Sequence, residues 1–202
     1  MQQRQLVKQS PIRSSYMAYS RHYGRVYAVE STLELDYLNL IRFKKTAESV
    51  ESQPFSIQFH LEGRPRRYTP DFLIVEQGVQ YVDEVKTRKA ATRPEFLRKA
   101  EKLNRFFGKR GLSFRVLTED DIRPGNQAQN LRFLMPVLDT PPPISEFESL
   151  LDATDVRTAS MQVMNKLLND LRLDISFIRR AVAHQLLQCD LTKPWSEMQF
   201  TW

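Results

Sequence analysis

The chain has 202 residues and a mass of 23.7 kDa, enough for one ordinary domain or one with a small appendage. An apolar fraction of 41% with 27% charged residues excludes wholesale disorder, and no apolar run approaches the ~18 residues that cross a bilayer. Thirty Lys and Arg against 24 Asp and Glu give a net charge of +6, and a single cysteine, Cys189, excludes an internal disulfide.

The segment Met1–Ser10 is polar and lacks the apolar centre of a secretory signal. With one cysteine, that makes a reducing, cytoplasmic setting the expectation, with no membrane partner. Residues 1–24 are treated as an N-terminal extension. Ser31-Thr32-Leu33-Glu34 predicts a helix start, with Ser31 as N-cap and Glu34 at the third helical position. Leu33, Tyr37, Leu40 and Ile41 then recur at helical spacing. Three strand-like runs follow, Phe55–Leu61, Tyr68–Val75 and Val79–Val85. Glu62-Gly63-Arg64-Pro65 and Gln77-Gly78 are the expected turns between them. Thr92 and Pro94 open a helix running to about Lys109, and Phe114–Leu117 is a short strand. The window Lys86–Arg115 carries 11 basic residues against Glu95 and Glu101. Such a field suits a polyanion, although a solvated helix face has the same pattern.

Pro136, Pro141, Pro142 and Pro143 mark a break, because a proline triplet belongs neither in a helix interior nor in a central strand. The sequence therefore suggests a first domain over 25–135, a linker over 136–146 and a second domain over 147–202. In that second domain Met161, Met164, Leu168 and Leu171 form a helical stripe. Asp174 or Ser176 caps another helix, with Ile178, Val182 and Leu186 on one face. A strand-like tail runs from Leu191 to Trp202. Two helices, a turn and a β tail suit a winged helix, and equally a small helical interaction module. The six basic and eight acidic residues of 144–202 favour a protein partner over DNA for this domain.

The chemistry concentrates between Tyr68 and Lys86. If Gln77-Gly78 is a two-residue hairpin loop, Glu76 faces Val79 and Asp71 faces Glu84. Opposed residues share one sheet face, so two carboxylates there repel unless a cation lies between them. All-oxygen ligation suits Mg²⁺, with Mn²⁺ able to substitute. Lys86 falls two residues beyond Glu84 on the same face, while Asp83 and Val85 point to the other. A surface Glu–Lys pair is the bland alternative for Glu84 and Lys86. Glu34 reads equally as a capping residue or as an acid entering the same cleft. His22, His60, His184 and Cys189 lack zinc spacing, and no P-loop or nucleophile elbow is present.

Pro70-Asp71 with Glu84-Val85-Lys86 resembles the PD-(D/E)xK nuclease motif. Ser31-x-x-Glu34 with Tyr37-Leu38, Gln53-Pro54, Arg67–Phe72 and Glu84–Lys86, in that order, resembles the TnsA family, the endonuclease subunits of heteromeric cut-and-paste transposases. The similarity covers about residues 25–120. It implies an α/β, restriction-endonuclease-like domain, a mixed sheet flanked by helices, followed by the small C-terminal domain. It also implies Mg²⁺-dependent cleavage of the 5′ strands of double-stranded DNA at transposon ends. The implied catalytic set is Glu34, Asp71, Glu84 and Lys86, with metal held by Asp71, Glu84, the Val85 carbonyl and Glu34. The implied partners are a TnsB-like transposase and, through the C-terminal domain, a TnsC-like AAA+ ATPase, in a bacterial, nucleoid-associated setting. Arg66, Arg67, Lys89, Arg93, Arg98, Lys99 and Lys102 are the candidate phosphate contacts. The alternatives are a stand-alone restriction or repair nuclease and an inactive DNA-binding adaptor.

Overall fold

The computed structural model describes residues 15–202, so most of the expected N-terminal extension lies outside the described residues. The described chain divides into two units, split between Ile122 and Arg123. Among the described residues no helix is long and apolar enough to cross a membrane.

The first unit begins with an antiparallel hairpin, β1 (Tyr16–Ser20) and β2 (Arg25–Val29). The first strand lies within residues 1–24, so part of the expected extension is ordered sheet joined to the domain. Tyr27 and Val29 are buried against helix α1 (Thr32–Lys44), together with Leu33, Leu38 and Ile41. The Ser31 hydroxyl accepts from the Glu34 N–H at 3.1 Å, which starts this helix as the capping pattern predicts.

A four-stranded mixed sheet follows, in the order β3 (Ser49–Ser52), β6 (Phe72–Glu76), β7 (Val79–Val85) and β8 (Ser113–Leu117). β3, β6 and β7 are antiparallel neighbours, and β7 and β8 are parallel. The parallel step requires a crossover, supplied by α2 (Arg88–Ala91) and α3 (Pro94–Gly108). Pro94 occupies the first turn of α3, where its missing N–H costs nothing.

Between β3 and β6 lies a separate hairpin, β4 (Ile57–Leu61) and β5 (Arg64–Tyr68). It corrects two sequence expectations. The turn is only Glu62-Gly63, both at positive φ, so Arg64 and Pro65 already belong to a strand. The Tyr68–Val75 run is broken at Pro70-Asp71, so Tyr68 ends one sheet while Phe72 starts another. β5 is an edge strand carrying a proline and three arginines, a composition that hides it from an alternation search.

The strands of the four-stranded sheet alternate strictly. Phe72, Ile74 and Val85 face the α1 side with Tyr37 and Ile122. Val82, Phe114 and Leu73 face Leu103 and Phe107 of α3, joined there by Phe55, Phe59 and Tyr68. Asp83 and Glu84, neighbours in β7, therefore sit on opposite sides of one wall. The unit ends with α4 (Glu119–Ile122).

The second unit starts earlier than the Pro-rich stretch suggests. Helix α5 (Gln127–Leu134) belongs to it, because the Asn130 side-chain amide donates to the Leu191 and Lys193 carbonyls at 2.7 and 2.8 Å. Residues 136–146 are not an extended connector. A 3₁₀ turn covers Met135–Val137, and α6 (Ile144–Asp152) begins directly after Pro143. Strand β9 (Thr158–Ser160) leads into α7 (Met161–Leu171), then α8 (Ser176–Ala183), and the chain closes with β10 (Gln199–Thr201) paired antiparallel to β9. Met164, Leu168, Phe177, Ile178, Val182 and Phe200 are buried. Asp174 accepts from the Ser176 N–H at 2.7 Å, and Leu186 lies beyond the helix and is exposed.

Candidate active site

Gln77 and Gly78 both adopt positive φ, 51° and 73°, the conformation of a type I′ hairpin turn. The turn sets the register: Glu76 pairs with Val79, and the ladder continues to Phe72 opposite Asp83. One step further lie Asp71 and Glu84. Asp71 has left the strand, and its Oδ2 accepts from the Val85 backbone N–H at 2.7 Å. The carboxyl thus folds back across the end of β7 toward Glu84.

Lys86 joins the two acids. Its Nζ lies 3.0 Å from Glu84 Oε1 and 3.5 Å from Asp71 Oδ2, and it donates to the Val85 carbonyl at 2.9 Å. Glu84 is held further by Tyr68, whose hydroxyl donates to Oε2 at 2.7 Å. Lys99, from α3, lies 3.4 Å from Glu84 Oε1.

Burial pushes the Asp71 carboxyl up to about 7, and the negative charges of Glu84 and then Glu34 push the same way, against the opposing pull of Lys86. Burial works against the Lys86 ammonium, yet Asp71 and Glu84 outweigh it and its pKa is raised. Burial and the adjacent Glu84 keep the Tyr68 hydroxyl protonated, as a donor must be. Lys86 and Lys99 match the charges of Asp71 and Glu84, and Glu34 adds a further acid nearby, a perturbed cluster of the kind found at functional sites.

Glu34 is near enough for its charge to be felt by Asp71 and Lys86, but its oxygens are engaged elsewhere. Oε1 accepts from the Ser31 hydroxyl and Oε2 from the Glu30 N–H, both at 2.8 Å. Its placement depends on the other side of the sheet. Tyr37, one helical turn on, donates to Asp83 Oδ2 at 2.6 Å, and Arg115 grips both oxygens of Asp83 at 2.7 Å. This buried network ties α1 to β7 and β8, so the helix carrying Glu34 cannot slide along the strand carrying Glu84. Nothing in the sequence alone points to Tyr37, Asp83 and Arg115 as one unit, since they are far apart in the chain.

Asp71 Oδ2, Glu84 Oε1 and the Val85 carbonyl converge within 3.5 Å of one positive charge, the Lys86 ammonium. These are hard oxygen donors, and the ammonium stands where they meet, so their chemistry fits Mg²⁺ or Mn²⁺. Among the described residues no three His, Cys, Asp or Glu side chains form a metal cage. The donor set is therefore two acids and a carbonyl, with Glu34 beside it.

Residues 44–119 match a family described as TnsA-like endonuclease N terminal. This segment is similar to the TnsA-like endonuclease domain. The matched span holds Asp71, Glu84, Lys86 and Lys99, and ends before the second unit. No curated protein matches the chain. Within the TnsA-like domain, the candidate phosphate contacts fall into two groups. Arg66, Arg67, Lys89, Arg93, Arg98 and Lys102 are exposed. Arg67 donates to the Ser56 hydroxyl at 3.1 Å and Arg98 pairs with Glu62 at 3.1 Å. Lys99 stands apart: its side chain is only 28% exposed, against 56% for Arg98.

Proposed function

We propose that the protein is a metal-dependent DNA endonuclease that cuts the 5′ strands at transposon ends, as one subunit of a cut-and-paste transposase. The observation that carries this reading is the convergence of Asp71, Glu84 and the Val85 carbonyl on the Lys86 ammonium. The TnsA-like match over the same residues supports the assignment to a transposase rather than to a repair system.

The reaction is phosphodiester hydrolysis. A water oxygen bonds to phosphorus and the P–O3′ bond breaks. The water gives up one proton and the departing 3′ oxygen gains one, leaving a 5′-phosphate and a 3′-hydroxyl. Asp71, Glu84 and the Val85 carbonyl would hold Mg²⁺, which when bound lowers the pKa of water and offsets phosphoryl charge. Lys86 orients the attacking water and donates to the charge that builds on the phosphoryl oxygens. Glu34, held by Ser31 and the Glu30 N–H, adds negative potential at the rim and is the candidate for a second ion.

Arg66, Arg67, Lys89, Arg93, Arg98 and Lys102 supply sequence-independent affinity for DNA backbone. Helices α7 and α8 with the β9–β10 pair are read as a winged-helix module. Its acidic balance suits a protein partner, a TnsC-like ATPase, while a TnsB-like transposase processes the 3′ strands.

The test is strand-specific mapping of nicks at transposon-end DNA, with the TnsB-like partner, for wild type and Asp71→Ala. Loss of 5′-strand nicks with 3′-strand nicks retained is expected. Unchanged 5′-strand nicking would refute the assignment.

A further inference from the structure

Glu84 Oε1 carries two ammonium groups, Lys86 at 3.0 Å and Lys99 at 3.4 Å. Lys86 is shared with Asp71 at 3.5 Å, whereas Lys99 comes to Glu84 from a separate helix. Lys99 is no ordinary surface lysine. Its side chain is as sheltered as that of Lys86, 28% against 32% exposed. The ammonium lies 4.6 Å from the centre of the Tyr68 ring and 5.8 Å from that of Phe96, so two aromatic faces hold it in place. The same Tyr68 is fixed in the core against Phe59 and Phe107 and donates its hydroxyl to Glu84 Oε2. One ring thus locates both Lys99 and the carboxylate it pairs with, and leaves Oε1 as the oxygen facing the cations.

We propose that Lys99 is a second active-site lysine, parked on Glu84 until a divalent cation takes that oxygen and then turned to the phosphoryl group being cut, with Tyr68 as the positioning residue that fixes Glu84 for the exchange. This rests on the nuclease reading above and adds a catalytic residue to it. The reasoning is electrostatic. A divalent ion at Oε1 repels both ammonium groups, and each must find another acceptor within reach of its side chain. The phosphodiester brings such oxygens into the site as the ion arrives. Lys86, on the strand end, and Lys99, on the helix, approach Glu84 from two elements, so they reach the phosphate from two sides. A lysine that served only DNA affinity would have no need of burial, an aromatic seat or a carboxylate partner.

The experiment uses the full chain with a short duplex and measures Mn²⁺ uptake by its electron paramagnetic signal. Lys99→Met is expected to tighten Mn²⁺ binding several-fold, because the competing ammonium is gone. Tyr68→Phe is expected to weaken it, since Glu84 is no longer pinned while the ring remains in the core. In the transposon-end assay, Lys99→Met should lower single-turnover cleavage on the order of 100-fold, as for loss of one transition-state donor. Any loss of affinity for the duplex should be far smaller than the loss of rate, and Lys99→Arg should restore part of the rate. Mn²⁺ affinity unmoved by Lys99→Met, or a cleavage loss no larger than the loss in DNA affinity, would overturn this inference alone. No Mn²⁺ uptake by the wild-type chain, or cleavage surviving Asp71→Ala, would overturn the nuclease reading and the exchange with it.

Discussion

Replacing Asp71 by asparagine is expected to make the folded protein more stable above neutral pH, although it should abolish cleavage. The carboxyl is 17% exposed and its pKa rises from the ordinary 3.8 to about 7, chiefly through burial and then through Glu84. A raised acid binds its proton more tightly when folded than when unfolded. Stability is therefore greatest below the unfolded value and falls as pH climbs through the folded one. A rise from 3.8 to about 7 corresponds to a ceiling of ~4 kcal/mol, at ~1.4 kcal/mol per tenfold change in proton affinity. Asparagine also forfeits the attraction to Lys86 at 3.5 Å, which brings the expected net gain to about 2 kcal/mol. Urea unfolding of wild type and Asp71→Asn at about pH 5 and about pH 8, without divalent ions, reads this group together with the Glu84 and Lys86 charges it interacts with, while distant titrations cancel in the difference. The gap between the two proteins should open as pH rises. A variant less stable than wild type at the higher pH, or a gap that does not change with pH, would refute the electrostatic account of the site.

Two further substitutions probe the scaffold. Arg115→Met strands the buried Asp83 carboxylate, which loses its bidentate partner and keeps only the Tyr37 hydroxyl. A loss of about 3–5 kcal/mol is expected in urea unfolding, recovered in part by adding Asp83→Asn; a loss below about 1 kcal/mol would mean the network does not brace the sheet. In the second unit, Gly125 has φ of 52°, and an added Cβ would lie 2.3 Å from the Thr192 carbonyl oxygen. Gly125→Ala should therefore lower the melting transition of that unit by several degrees, read by calorimetry, and an unchanged transition would show that the Thr192 loop yields freely.

The sequence held the centre of the site because its geometry is local. A Gln-Gly turn fixes hairpin register, and register alone sets which residues of β6 and β7 can meet. The Ser31–Glu34 cap is local too, and both appear in the structure. The β4–β5 hairpin was less legible, because Arg64–Arg67 carries no apolar alternation and packs only through Tyr68. The Tyr37–Asp83–Arg115 network joins an α1 hydroxyl, a β7 acid and a β8 cation, and no short window contains more than one of them. Lys99 looked like any other member of a basic helix, since only the crossover topology brings it over Tyr68 and Glu84. The division of the chain was drawn by prolines. The structure instead follows Asn130, Asn126 and Gly125, which knit α5 to the Leu191–Lys193 loop.

The two adjacent acids of β7 face opposite ways, one into the brace and one into the site, and that sets a limit on how this hairpin can vary. A slip of one residue between β6 and β7 would turn the strand over. Asp83 would arrive where the cation is gathered, and Glu84 would be driven into the wall that Tyr37 and Arg115 close. Both roles would fail together, so the pairing of these two strands is held to a single register.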